Sequence, residues 1–134
     1  LLNKNDKASS RVERNLLKEK IRREARSLGF DLVGFAKAEH LTAQEKRLRN
    51  WLEKGAHGTM SYMANHFEKR VDPRLLVPGA RSIISLAYNY YTSEKQEDAS
   101  APIISKYAYG EDYHFVIKSK LKTLLTHIES LVGN

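Results

Sequence analysis

The chain has no cysteine, which excludes disulfides, thiolate nucleophiles, zinc ribbons and iron–sulfur ligation by its own side chains. Three prolines, seven glycines and one tryptophan in 134 residues leave no room for a collagenous or proline-rich architecture. Long apolar runs are also missing: stretches such as Ile83-Ile84-Ser85-Leu86-Ala87 fall far short of the ~20 residues that cross a bilayer. The opening Leu1-Leu2-Asn3-Lys4-Asn5-Asp6 lacks the apolar region of a secretory signal, so a cytoplasmic location with no membrane partner is expected. There is no GxGxxG, Walker loop, HExxH or nucleophile elbow, and His40, His57, His66, His114 and His127 lack metal-ligand spacing. Acidic residues are outnumbered, 16 against 23 basic, for a net charge of +7. An excess of that sign favours a polyanionic partner, nucleic acid before membrane.

What is present reads as one domain of mixed composition, 41% apolar and 29% charged. Residues 1–9 are polar and aperiodic, as in a frayed terminus. Ser10 with Glu13 has capping-box spacing, and Leu16, Leu17, Ile21, Ala25 and Leu28 then recur at helical intervals up to the stop at Gly29. The rest of this helix is basic, including Arg22, Arg23 and Arg26. Phe30–Ala36 reads as a short buried strand, and Thr42 with Glu45 predicts the cap of a second helix ended by Gly55. Gly58–His66 predicts a brief third helix, followed by a turn-rich connection between Pro73 and Gly79. Ser82–Tyr90 suits a central strand covered on both faces, residues 91–101 a polar loop, and Ile103–Tyr107 a further strand. A long amphipathic helix follows from Asp112. The order predicts an α+β domain, a small mixed sheet covered by helices. Two or three strands leave sheet edges unpaired, so the chain is expected to be the front of something larger or to close its sheet on a partner.

Three constellations carry chemistry. In Gly55-Ala56-His57-Gly58-Thr59-Met60-Ser61-Tyr62-Met63, two glycines around a histidine can cradle an anion, although a helix joint with Met60, Tyr62 and Met63 in the core is the more ordinary reading. In Phe67-Glu68-Lys69-Arg70-Val71-Asp72-Pro73-Arg74, Arg70 can offer a bidentate fork to a phosphate or carboxylate. A solvated loop in which Asp72 pairs with Arg74 is an equal alternative. In Ser105-Lys106-Tyr107-Ala108-Tyr109-Gly110-Glu111-Asp112-Tyr113-His114, aromatic side chains alternate with a hydroxyl, a lysine and a histidine. Tyr107, Tyr109 and Tyr113 can wall a large conjugated ligand or stacked bases. Asp112 as a helix cap, with half-buried tyrosines, is the competing account.

Taken in order, these stretches resemble the N-terminal domain of the epoxyqueuosine reductases, a cobalamin-dependent iron–sulfur family of tRNA modification. The resemblance runs through Leu28–Ala36, Gly58–Met63, Lys69–Ile84, Asn89-Tyr90-Tyr91 and Lys106–His114, nearly the whole chain from about residue 12. It implies a nitroreductase-like cobalamin-binding domain, with residues 1–9 as a flexible lead and 10–134 as its N-terminal part. The implied reaction is two-electron reduction of the epoxide of epoxyqueuosine to queuosine in tRNA, on cobalamin, with two 4Fe–4S clusters as relay and an unspecified electron donor. Carried over by position, Arg70, Ser105, Lys106, Tyr107, Tyr113 and His114 would border the corrinoid, and Arg22, Arg23 and Arg26 would meet tRNA phosphates. The family's cluster cysteines and its proton-donating aspartate fall beyond residue 134, so this stretch alone is expected to be inactive and the full-length protein a monomer. Tyr109 departs from the family, where an arginine is common. Two other classes stay open: a corrinoid-binding module without an RNA partner, and a basic RNA-binding domain without a cofactor.

Overall fold

The computed structural model describes residues 4–98 and 100–133, with side chains from residue 10 onward. Its elements are α1 (Lys4–Ser27), β1 (Leu32–Lys37), α2 (Thr42–Glu53), α3 (Phe67–Val71), β2 (Ser82–Ala87) and α4 (Tyr113–Val132), with short 3-10 turns at Ser61–Ala64, Pro73–Leu75 and Lys106–Ala108. The α+β class read from the sequence is the one that forms. The sheet is antiparallel rather than mixed: β1 and β2 pair, with Asp31 N–H donating to the Ala87 carbonyl at one end and Ala38 N–H to that of Arg81 at the other. The chain divides into two compact units, Leu1–Val33 with Leu86–Asn134, and Gly34–Ser85. No helix among the described residues is long and apolar enough to cross a membrane.

In the first unit, α1 packs on α4, with Ile21, Ala25 and Leu124 buried. The end of α1 is a Schellman turn: Gly29 N–H donates to the Arg26 carbonyl at 2.9 Å and Phe30 N–H to that of Ala25 at 3.0 Å. Gly29 sits at φ +89°, which a Cβ would make costly. Lys120 of α4 donates to the Leu28 carbonyl at 2.6 Å, placing a cation at the negative end of the α1 dipole. Phe30 is buried and meets Tyr88 edge-on at 5.9 Å. In the second unit, Ala38 and Val71 are buried, and Leu41 N–H donates to the Val71 carbonyl at 2.8 Å. The Arg49 guanidinium lies 4.5 Å over the Phe67 ring and so ties α2 to α3.

Several sequence expectations need correcting. Helix α1 begins at Lys4, so most of the stretch read as frayed is helical, while residues 1–3 lie outside the described residues. Ser10 is therefore inside the helix, where its hydroxyl accepts from Arg14 instead of capping. Leu16, on the predicted apolar stripe, is 58% exposed, because the helical period runs further along α1 than the surface that covers it. Leu41, not Thr42, precedes α2; Thr42 Oγ1 instead pairs with His40 Nδ1 at 3.2 Å, and Glu45 binds His40 and Arg49. The predicted third helix is a 3-10 turn followed by the five-residue α3, which the sequence reading missed. Between them His66 takes a left-handed conformation, φ +55°. Strand β2 is no central strand, since β1 is its one neighbour among the described residues and its faces are only half covered. Ile103–Tyr107 forms no strand either: with nothing alongside to pair with, it leaves Ile103 96% exposed.

If the α1–α4 seam is the core of the first unit, Leu124→Ala should lower its stability by about 2–5 kcal/mol, the usual cost of removing a buried leucine. Urea denaturation followed by circular dichroism measures this. A loss below ~1 kcal/mol would show that the seam is not a packed core.

Candidate functional site

The first unit builds an aromatic wall. Asn89 N–H donates to Asp31 Oδ2 at 2.7 Å, which holds the exit of β2 just ahead of Tyr90 and Tyr91. Tyr90 and Tyr107 meet edge to face at 6.3 Å, as do Tyr107 and Tyr113 at 6.2 Å. These three rings line a hollow of about 320 Å³ that contains no charged side chain. T-shaped contacts of this kind hold rings at defined angles and leave faces open to a ligand. Tyr109 is half-buried beside the wall and contributes to an adjoining hollow.

Lys106 does not reach this hollow as a free cation. Its Nζ donates to the Thr92 carbonyl at 2.6 Å and lies 4.2 Å over the Tyr91 ring. It thereby clamps the loop at 91–92 to the turn that carries Tyr107. Ser105 is exposed; its carbonyl accepts from Ala108 N–H at 2.9 Å, while its hydroxyl caps nothing.

Asp112 caps α4, as its position suggested. Its Oδ1 accepts from His114 N–H at 2.9 Å and pairs with His114 Nδ1 at 2.8 Å. Those two bonds, the backbone one foremost, hold the Asp112 carboxyl below the usual carboxylate range. With Nδ1 donating to a carboxylate, Nε2 is the imidazole nitrogen left for another partner. The His114 ring stacks on Tyr113 with centroids 4.0 Å apart, and both border a second hollow of about 430 Å³ with Tyr107 and Glu111. Tyr107, Tyr113 and His114 are thus one cluster. Lys106 and Ser105 are its immediate supports.

Arg70 belongs to the second unit. Its Nε donates to the Asn65 carbonyl and its Nη2 to that of Tyr62, both at 3.0 Å, so two of its five N–H groups hold the turn before α3. The remaining three have no hydrogen-bond partner among the described residues, and Arg70 lines a hollow of about 590 Å³ with His66 and Lys69. Asp72 is buried and engages Arg74, with Oδ1 to Nε at 2.8 Å and Oδ2 to Nη2 at 2.6 Å. The pairing read as an equal alternative for Asp72 is the one that forms. Near Gly55 and Gly58, His57 tilts against Trp51 at 5.8 Å, and its buried Nδ1 has no partner. Met60 and Tyr62 are exposed, which corrects their placement in the core. Along α1, Arg23 and Arg26 are exposed, whereas Arg22 is partly covered and paired with Glu19. Among the described residues no three His, Cys, Asp or Glu side chains gather as a metal site.

The α+β fold of this segment is shared with solved epoxyqueuosine reductases. The family described as epoxyqueuosine reductase QueG, DUF1730, matches residues 70–134. The epoxyqueuosine reductase of Cyclobacterium marinum is 52% identical over 114 residues, covering 84% of this chain and 37% of that protein. A solved epoxyqueuosine reductase from Streptococcus thermophilus superposes with a TM-score of 0.74 at 31% identity, covering 87% of this chain and 32% of its own. Another, crystallised with an epoxyqueuosine-modified tRNA-Tyr stem loop, gives 0.70 at 30% identity over the same shares. By sequence and by fold the chain is similar to the epoxyqueuosine reductases, and it spans about a third of the length of the relatives it matches.

The Asp72–Arg74 pair has a pH signature. Hydrogen bonding to the Arg74 guanidinium lowers the Asp72 pKa from 3.8 to about 2. A carboxyl depressed on folding stabilises the fold fully above its unfolded pKa, and that contribution fades as pH falls toward the folded value. The thermal midpoint should therefore drop between about pH 4 and pH 2, and Asp72→Asn should flatten that limb. An unchanged limb in the variant would show the pair does not form in solution.

Proposed function

We propose that this chain is the cofactor-facing segment of an epoxyqueuosine reductase, a longer protein that reduces the epoxide of epoxyqueuosine to queuosine in tRNA. The observation carrying this reading is the uncharged Tyr90–Tyr107–Tyr113 hollow in a chain with that family's sequence. Cobalamin would meet Tyr90, Tyr107 and Tyr113 along part of its rim, since aromatic side chains suit a conjugated ligand and a hollow of about 320 Å³ is too small to enclose it. When bound, it supplies the electron-transfer chemistry at cobalt, while the protein positions it.

The chain's own residues have separable tasks in this reading. Tyr107 and Tyr113 hold the ring edge, and Lys106 fixes Tyr107 through Thr92. Ser105 offers a hydroxyl, and His114 Nε2 offers a hydrogen-bonding site. The two 4Fe–4S clusters do not fit this segment, which has no cysteine to hold them. Arg22, Arg23 and Arg26 are proposed as tRNA phosphate contacts, with Arg23 and Arg26 the more available pair. The whole protein is proposed to be a cytoplasmic monomer.

Cobalamin added to the chain should shift the corrin absorption bands, and Tyr107→Ala should weaken that binding. The absence of any difference between wild type and variant would remove the aromatic wall from the site. A tRNA anticodon stem loop should bind with steep salt dependence, and Arg23→Glu with Arg26→Glu should lower the log–log slope by about 1 per lost contact. An unaltered slope would place the RNA elsewhere.

A further inference from the structure

Helix α1 carries its charges unevenly. Arg11, Arg14, Lys18, Arg22 and Arg26 follow one another at intervals of three or four residues, so they form a single row along the helix. The row runs beside the seam with α4, where Ile21 and Ala25 are buried. Arg22, three residues before Ala25, is partly covered there, and the other four are exposed. The far side of α1 is different. Lys20 is two residues from both Lys18 and Arg22, about half a turn around the helix, and shares its row with Glu13 and Glu24. Glu19 is the α1 acid that borders the basic row, and it is ion-paired with Arg22.

Each step of four residues advances about 6 Å, and Arg11 to Arg26 spans about 22 Å, long enough to face several phosphates of one nucleic-acid strand. The C-terminal end of a helix repels anions, because its unpaired carbonyls carry partial negative charge. Arg26 in the last turn and Lys120, bonded to the Leu28 carbonyl at 2.6 Å, offset that charge, so the row stays positive up to the turn at Gly29. Val12 and Leu16, the exposed large apolar residues of α1, lie off the row. A lipid surface takes up basic and apolar side chains together, whereas a phosphate backbone needs the cations alone. Arginine repeated at a regular stride suits phosphates, which also repeat, better than the irregular acids of a protein surface.

We propose that this row is the docking edge for one strand of an RNA stem, which it binds through phosphates and not through bases. The inference rests on the tRNA partner proposed above and adds which side of α1 meets it. Arg22 and Arg26 belong to the row, Arg23 widens its end, and Arg11, Arg14 and Lys18 extend it toward the start of the helix.

Lys18→Glu and Lys20→Glu make the test, because they are the same substitution with the same change in net charge, two residues apart on opposite sides of one helix. Fluorescence anisotropy across a salt series measures binding of the 134-residue chain to an anticodon stem loop, and to the same stem closed by an unrelated loop. Lys18→Glu and Arg14→Glu should each weaken both RNAs about tenfold and lower the log–log salt slope by about 1, while Lys20→Glu stays within about twofold of wild type. Circular dichroism checks that every variant keeps its helix content. Equal losses for Lys18→Glu and Lys20→Glu would show a diffuse field instead of a row, overturning this inference and leaving the tRNA partner standing. An effect of Lys18→Glu that vanishes with the unrelated loop assigns the contact to the loop and overturns it as well. Failure of wild type to bind either RNA overturns both the row and the tRNA partner. Binding to phosphatidylserine vesicles that is stronger than to RNA, and is lost in Lys18→Glu alone, assigns the row to a membrane and overturns the RNA stem.

Discussion

The first unit depends on what happens at the end of α1. Four carbonyls there have no partner within the helix, and a buried helix end must find substitutes. Gly29 turns the chain back so that Phe30 and Gly29 themselves supply N–H donors, and Lys120 reaches across from α4 for the Leu28 carbonyl. With those bonds made, Phe30 can be buried against Tyr88, and Asp31 can receive Asn89 N–H. The start of β1 and the exit of β2 are thereby held together, and Tyr90 is set on the line that leads to Tyr107 and Tyr113. A helix terminus thus positions an aromatic wall that is distant from it in sequence.

Electrostatics follows a similar economy of partners. The acids that have ion pairs spend them locally, Glu19 on Arg22, Glu45 on Arg49, Asp72 on Arg74 and Asp112 on His114. Exposed pairs of this kind contribute little stability each. Their larger effect is on the field that remains, because neutralising acids in place leaves Arg23, Arg26, Lys69 and the free edge of Arg70 uncompensated.

Apolar surface is distributed less economically. Leu32, Ile103 and Phe115 are largely exposed, while the buried apolar side chains among the described residues are Ile21, Ala25, Phe30, Ala38, Val71 and Leu124. The chain is about a third as long as the reductases it matches. Strand β2, with the composition of a covered strand, has only β1 beside it among the described residues.

The elements that could be read from residues alone were those governed by local physics. Gly29 as a stop, Asp112 as a cap, the polar loop at 91–101 and the long final helix all follow from backbone conformational preference and helical spacing, and the ordered motifs carried the family resemblance. Tertiary contact decided the rest. Whether an alternating run becomes a central strand depends on neighbours that no local pattern contains, so Ser82–Ala87 gained one partner and Ile103–Tyr107 none. The same holds for the charged side chains: the types of Lys106, Arg70 and Asp72 were plain, but only the folded chain shows Lys106 spent on Thr92, Arg70 on two carbonyls and Asp72 on Arg74. Residue chemistry sets what a group can bind, and three-dimensional proximity selects which of those bonds is made.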